Sequence, residues 1–355
     1  MTTSKRWLAL PIVAALFLTA CPSGQIPPFD SCDYRPDPVV PDYSWSPSAP
    51  TTVPGRPGEF RSFVPSTPEG LVVLFDGGGG SRLWFDTVEG RLLVDALVAA
   101  DYAVLGLNLD GQYAWNEVAD YEQNALFVEQ AIDEVRDPFG PDLPLFYIGF
   151  SKGGGFASLF HDTVQANAQI LFNTSGHESG FVDPAFDTPP TMWILGTNDR
   201  KIDNPALVLD YAAELDARHV NHAVFYNEPT SPFELAFARI ANSIDQVTWT
   251  DSRDAYLQML SEDVIELDVD TGCPFVTEHW RRALSTAVIT YGPSFTPTSP
   301  STSPSPPVQG PTRFVPDPNF DRKAEVEAQI DELYGGHQIT SDFKHTIVSF
   351  FDEHP

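Results

Sequence analysis

Six short, nearly continuous apolar runs constrain this chain more than any other feature: Leu71–Phe75, Tyr102–Leu109, Leu145–Gly149, Gln169–Asn173, Thr191–Gly196 and His222–Tyr226. A strand that buries one face alternates apolar and polar residues, whereas one buried on both faces reads as an unbroken apolar run. These runs therefore predict strands inside a parallel sheet. Glu59–Val64 reads as an edge strand. Between the second and third runs, Val118, Tyr121, Ala125, Val128, Ile132 and Val135 recur at spacings of three and four. That is the apolar stripe of an amphipathic helix. Strand and helix in alternation predict an α/β fold, a doubly wound and mostly parallel sheet with right-handed crossovers.

The rhythm stops at Tyr226. Pro229–Phe320 holds helical patterns near Asp254–Leu260 and Glu278–Val288, then a Pro/Ser/Thr-rich loop over 293–318 with nine prolines. Such a run is extended rather than packed. Helical periodicity returns at Val326, Ile330 and Leu333 and halts at Gly335-Gly336. A last helix is expected from an N-cap at Ser341 through Phe343, Ile347 and Phe350. At 355 residues with 42% hydrophobic content, the chain can form one large domain carrying an inserted module. The expected organisation is a leader (1–20), a Pro-rich stalk (21–55), a core (56–228), an insertion (229–320) and the rest of the core (321–355).

Twenty basic against 49 acidic residues give a net charge of −29. That balance argues against nucleic acid as a partner and against a polybasic membrane surface, and fits a soluble, self-repelling exterior. At the N-terminus, Lys5 and Arg6 precede the apolar run Trp7–Leu18, which has the length of a signal sequence and is too short to span a bilayer. It ends in Leu18-Thr19-Ala20-Cys21. This resembles the bacterial lipoprotein signal, which implies a lipidated Cys21, a lipid bilayer as partner and anchoring in the cell envelope, on the periplasmic or outer face. An ordinary secretory signal cut near Ala20 is the alternative. The two other cysteines, Cys32 and Cys273, form an even pair in an exported chain and so suggest a disulfide, although spacing does not establish proximity. No paired CxxC and no HExxH is present, so no metal site is expected.

Chemistry is concentrated at Leu145–Gly155, LFYIGFSKGGG. It reads as a buried strand, then Gly149-x-Ser151-x-Gly153-Gly154, then a helix. A sharp strand-to-helix turn holds such a serine in unusual backbone geometry, and the residues around it must be small for the turn to close. The bland alternative is a glycine-rich turn with an idle serine. Asp76 and Gly77–Gly80 follow the first run. This loop lacks the signatures of a phosphate loop and fits half of an oxyanion hole, or a merely flexible connection. Trp193–Asp199 is an apolar strand ending in an acid that could orient a histidine, with Asp203 as rival. Of eight histidines, His337 lies in the turn after Gly335-Gly336 and is favoured as the base. His177 follows a strand, His161 lies on the helix after the serine, His354 is terminal, and His219, His222, His279 and His345 read as surface positions.

Glycine loop, GxSxGG turn, strand-end Asp and late His together resemble the α/β-hydrolase superfamily, with similarity to dienelactone-hydrolase-like and polyhydroxybutyrate-depolymerase-like esterases. The resemblance covers Glu59–Tyr226 and resumes from about Asp321. It implies Ser151 as nucleophile, Asp199 as acid and His337 as base, with the N–H of Lys152 and one from Gly77 or Gly78 as oxyanion hole. It further implies a serine hydrolase of small or polymeric carboxylic esters that works through an acyl-enzyme and needs no cofactor. Two departures stand out. Asp76 occupies the position where many relatives carry His-Gly, and Pro229–Phe320 intervenes before the histidine, where it reads as a cap. A peptidase with the same triad and a non-catalytic surface-binding lipoprotein are the alternatives. Asp268–Gly272 resembles part of a calcium loop but lacks the third ligand and the distal Glu, and reads as an acidic turn. Trp84, Phe85 and Trp115 lie beyond strand ends, where packing or pocket lining would suit them.

Overall fold

The computed structural model describes residues 32, 45–56, 58–77, 83–109, 115, 120–201, 205–232, 257, 259–286 and 322–355. The expected signal at 1–20, Cys21, Gly78, Asp203, Val118, most of the stalk, the loop 293–318 and Asp254 lie outside the described residues. In chain order the elements are β1 (Thr51–Thr52), β2 (Glu59–Phe63), β3 (Leu71–Phe75), α1 (Leu83–Asp86), α2 (Val88–Ala99), β4 (Ala103–Asn108), α3 (Tyr121–Arg136), β5 (Leu145–Phe150), α4 (Lys152–Phe160), β6 (Ala168–Phe172), α5 (Ser179–Val182), β7 (Thr191–Gly196), α6 (Pro205–Ala217) and β8 (His222–Asn227). A hairpin of β9 (Ile265–Leu267) and β10 (Pro274–Val276) follows, then α7 (Trp280–Thr286), α8 (Arg322–Leu333) and α9 (Lys344–Asp352).

Eight strands form one sheet in the order β1-β2-β4-β3-β5-β6-β7-β8. From β4 to β8 all neighbours are parallel, while β2 is antiparallel to β4 and to β1. The reason for unbroken apolar runs is visible in β3. Val72 and Leu74 pack on one face with Leu93, Val94 and Leu97 of α2 and Ile347, Phe350 and Phe351 of α9. Leu71, Val73 and Phe75 face the other way, towards Phe127, Val128 and Ile132 of α3 and Phe156 and Phe160 of α4. Successive residues of a strand point to opposite faces, so a strand between two helical layers needs both parities apolar. This is the expected α/β fold, a doubly wound and mostly parallel sheet.

The structure corrects three expectations. The strand at Glu59 is not the sheet edge, because the two-residue β1 pairs with its outer side. His222–Tyr226 is not an interior strand. It forms the opposite edge, half-buried over most of its length. Ser341 does not cap the last helix. That helix starts at Lys344 after Phe343, and the backbone N–H of Ser341 instead donates to Glu89 Oε2 at 2.8 Å. Trp84, Phe85 and Trp115 are buried packing residues.

Cys273, directly before β10, is bonded to Cys32, with Cα atoms 5.5 Å apart. The acidic turn between β9 and β10 closes on itself: Asp268 Oδ1 accepts from the N–H of Thr271 at 2.8 Å and of Asp270 at 3.1 Å. These bonds hold the Asp268 carboxyl below its usual range. Where the chain departs after β8 it meets the end of α8, since Thr230 N donates to the Leu333 carbonyl at 3.0 Å. A long excursion that leaves and returns at one point costs the core little. Among the described residues no helix is long and apolar enough to cross a membrane.

Candidate active site

One residue, Ser151, separates β5 from α4. Its φ of 52° and ψ of −122° lie outside the regions open to ordinary side chains. Such a conformation costs about 1–3 kcal/mol and persists only where the surroundings over-determine it. Here Ser151 N donates to the Phe172 carbonyl of β6 at 2.9 Å, and the Ser151 carbonyl accepts from Gly154 N at 3.0 Å and Gly155 N at 3.2 Å. The glycines are required by contact. A methyl on Gly149 would strike the Gly154 Cα, and one on Gly153 would overlap the Asp76 carbonyl and lie 2.7 Å from that of Phe75. The helix therefore begins directly against the end of β3.

The loop after β3 lies beside the serine. A methyl on Gly77 would sit 2.9 Å from Phe150 Cδ1 and 3.8 Å from Ser151 Cβ. Lys152 opens α4, where the first N–H groups have no partner inside the helix and the dipole favours negative charge. Asp76 is buried at the base of this loop.

His337 and Asp199 meet on the adjoining strand end. His337 Nδ1 donates to Asp199 Oδ2 at 2.6 Å, and the Asp199 side chain is fully buried. Asp199 Oδ1 accepts from Lys201 N at 2.7 Å. With Nδ1 committed as the donor, Nε2 of the neutral ring is left as an acceptor. The His337 ring packs against Phe150, the residue before Ser151, with centroids 4.9 Å apart. No hydrogen bond joins Ser151 Oγ to His337 among the described residues. Free enzymes often hold such pairs apart until substrate arrives.

The turn carrying His337 is gripped from several sides. Asn198 N donates to the Gly335 carbonyl and Asn198 Nδ2 to that of Tyr334, each at 2.8 Å. Gly196 leaves room for the carbonyl of Gly336 to cross the end of β7. Asn173, just past β6 at a φ of 51°, donates through Nδ2 to the Gln338 carbonyl at 2.5 Å and accepts from Gly196 N at 2.6 Å. Buried Glu89 takes Gln329 Nε2 at 3.2 Å with one oxygen and Ser341 N with the other. The sequence reading missed Asn173 and Glu89. An asparagine directly after a strand, tolerant of positive φ, was the available signal for the first. Nothing local marked the second.

Three other histidines are occupied elsewhere. His161 is buried. Its Nδ1 accepts from Ala166 N at 3.0 Å and its Nε2 donates to the Asp187 carbonyl. Burial lowers its pKa. His177 Nδ1 pairs with Ser179 Oγ at 2.7 Å. His354 bonds the Phe350 carbonyl through Nδ1 at 2.7 Å. A cleft of about 80 Å³ opens beside His337, walled by Asp199, Lys201, Arg281, Asp331 and Tyr334 among others.

No family model matches this sequence, and no curated protein matches it. Solved structures do. A sugar hydrolase from Lactococcus lactis is 18% identical at a TM-score of 0.41, over 52% of this chain and 84% of that one. An α/β hydrolase enzyme from a Medee basin deep-sea metagenome library is 19% identical at a TM-score of 0.40, over 60% and 96%. A lipase/esterase from Lactobacillus plantarum is 14% identical at a TM-score of 0.37, over 51% and 91%. Residue roles in this chain rest on its own geometry.

Proposed function

We propose that this protein is a serine hydrolase of carboxylic esters, with Ser151 as nucleophile, His337 as general base and Asp199 as its partner. Ser151 Oγ attacks the acyl carbon while His337 Nε2 takes the hydroxyl proton. Asp199 holds the ring in the tautomer that leaves Nε2 free and stabilises the imidazolium. The oxyanion is held by backbone N–H groups of Lys152 and Gly77; one such donor typically accounts for about 10²–10³ in rate. Gly78 remains the other candidate for the second donor. His337 returns the proton to the departing alkoxide, which leaves as an alcohol. A water molecule, deprotonated by the same Nε2, then attacks the acyl-enzyme and releases the acid and the free serine. These steps need no cofactor.

One observation carries this reading: the unusual backbone of Ser151 at the N-terminus of α4, with a histidine already paired with a buried aspartate packed against the preceding residue, Phe150. A fluorophosphonate probe tests it. Labelling should map to Ser151 and vanish in Ser151→Ala and His337→Ala. Undiminished labelling of Ser151→Ala would overturn the assignment.

Export and a lipid anchor at Cys21 belong to the same proposal. A Cys32–Cys273 disulfide suits an oxidising compartment. Incorporation of a palmitate analogue into the full chain, lost in Cys21→Ser, is the expected result. The segment 229–320 is proposed as a cap, because α7 brings Arg281 to the cleft beside His337.

A further inference from the structure

A second carboxylate stands behind the histidine. Asp331 lies in α8, six residues before His337. Its side chain is 2% exposed. Gly336, the residue before His337, donates its N–H to the Asp331 carbonyl at 2.7 Å, and its Cα lies so close to Asp331 Oδ1 that a methyl there would overlap it. The turn that presents the imidazole is thus bonded to the Asp331 carbonyl and packed against its carboxylate.

A buried carboxylate so placed has two effects. Burial pushes its own pKa up, and its charge, while it lasts, favours the protonated form of a neighbouring imidazole. A protonated His337 cannot accept the serine proton. The structure supplies an opposing charge. Arg281 Nη2 contacts Asp331 Oδ1 directly, and the guanidinium stacks over the Trp280 ring at 4.4 Å. Arg281 is the first influence drawing the Asp331 pKa back down, ahead of Lys201 and His337. It is carried by α7, within the insertion, 50 residues from its partner.

We propose that Arg281 is a positioning residue for the catalytic histidine, neutralising the second carboxylate of the site through its ion pair with Asp331 and bracing the turn that holds His337. The inserted segment thereby completes the electrostatics of the core site as well as covering it. This rests on His337 acting as the base. Among the described residues, the charged groups that line the cleft with the imidazole are Asp199, Arg200 and Lys201 from the loop after β7, Asp331 from α8, and Glu278 and Arg281 from the segment 229–320. With Arg281 paired to Asp331, Asp199 is left as the carboxylate bonded to the ring.

Histidine-labelled full-length protein, followed by NMR across pH alongside the pH–rate profile, tests this. Arg281→Gln should raise the His337 titration and the acid limb of the rate profile by about half a pH unit or more. Arg281→Lys, which keeps the charge, should restore them. Asp331→Asn should shift both the opposite way, because Arg281 is then uncompensated, and the double variant should return close to wild type. A purely structural pair would not give shifts of opposite sign that cancel. An unmoved His337 titration in Arg281→Gln, or single variants that shift in the same direction, would overturn the proposal. The NMR titration needs no turnover. An inactive chain with the expected shifts would therefore sink the hydrolase reading, and an active chain with an unmoved titration would sink the role of Arg281.

Discussion

The serine and the histidine of this site are held in opposite ways. Ser151 is fixed largely by its own stretch of chain, since eleven residues from Leu145 to Gly155 supply strand, turn and helix start. His337 is fixed by partners far away in sequence: Asp199 at a separation of 138 residues, Asn173 through Gln338 at 165, and Glu89 through Ser341 at 252. A locally determined element survives wherever its short sequence survives. An element set by distant contacts depends on the whole sheet being assembled first. The chain that leaves β8 is tied at Thr230 to Leu333, at the end of α8, just before it reaches His337.

The largest effect expected from breaking the comparison lies at the chemistry itself. Ser151→Ala and His337→Ala should each lower ester hydrolysis by about 10⁴-fold or more, and the double variant by little beyond either alone, because the two act as a unit. The folds should separate them. Ser151→Gly should raise the unfolding midpoint, since glycine adopts a φ of 52° freely and the stored strain is relieved. His337→Ala carries no such gain. If Ser151→Gly unfolds at the wild-type temperature, the elbow is not strained and the local half of the comparison fails.

Next in size is Gly153→Ala. The added methyl would run into the carbonyl of Asp76, which is backbone and cannot swing aside. We expect a loss of roughly 2–3 kcal/mol in denaturant unfolding together with weaker probe labelling. Wild-type stability in this variant would mean that α4 does not press on the end of β3.

Asn173→Ala addresses the distant half. It removes the bonds to the Gln338 carbonyl and to Gly196 N while touching neither Ser151 nor Asp199. A base displaced by about an ångström costs around 10²-fold in rate. A fall in kcat of ten- to a hundredfold with KM little changed is therefore expected. A change confined to KM would place Asn173 in substrate binding instead.

How far the sequence could be read follows the same division. Strands between two helical layers were legible to within a residue or two, because burial on both faces leaves few polar positions, Gln169 and Thr191 among them. The edge strand β8 misled for the same reason: Ala223 and Phe225 pack against the cluster that includes Phe343 on one face, and Val224 against that of Trp193 on the other. Its apolar run looks interior although no strand neighbours its outer edge among the described residues. The serine turn was legible because its glycines answer to atoms within a few residues or on the adjacent strand. The role of Ser341 was not legible, since its N–H belongs to Glu89, 252 residues away, and a serine before an apolar helix is also what a local cap looks like. The Arg281–Asp331 pair was hidden in the same way, because its two halves lie in segments that the sequence reading had assigned to different parts of the fold.

The smallest effect concerns the far end of the elbow helix. His161 follows α4 and is neutral in the fold: its Nδ1 accepts from Ala166 N, so a proton on that nitrogen would set two donors against each other. Burial adds to this and holds the folded pKa below the ordinary value of about 6.5. The sign follows from linkage. Well above about pH 6.5 neither state is protonated, and this histidine makes no pH-dependent contribution. As pH falls below that value the unfolded chain takes up a proton that the fold refuses, so stability drops until the folded pKa is reached. Thermal unfolding midpoints measured between pH 7.5 and 5 should therefore fall, and His161→Gln should flatten the part of that slope below about pH 6.5. A slope unchanged in the variant would show that the end of the elbow helix titrates no differently folded than unfolded, and the local half of the site would then owe nothing to the neutral state of His161.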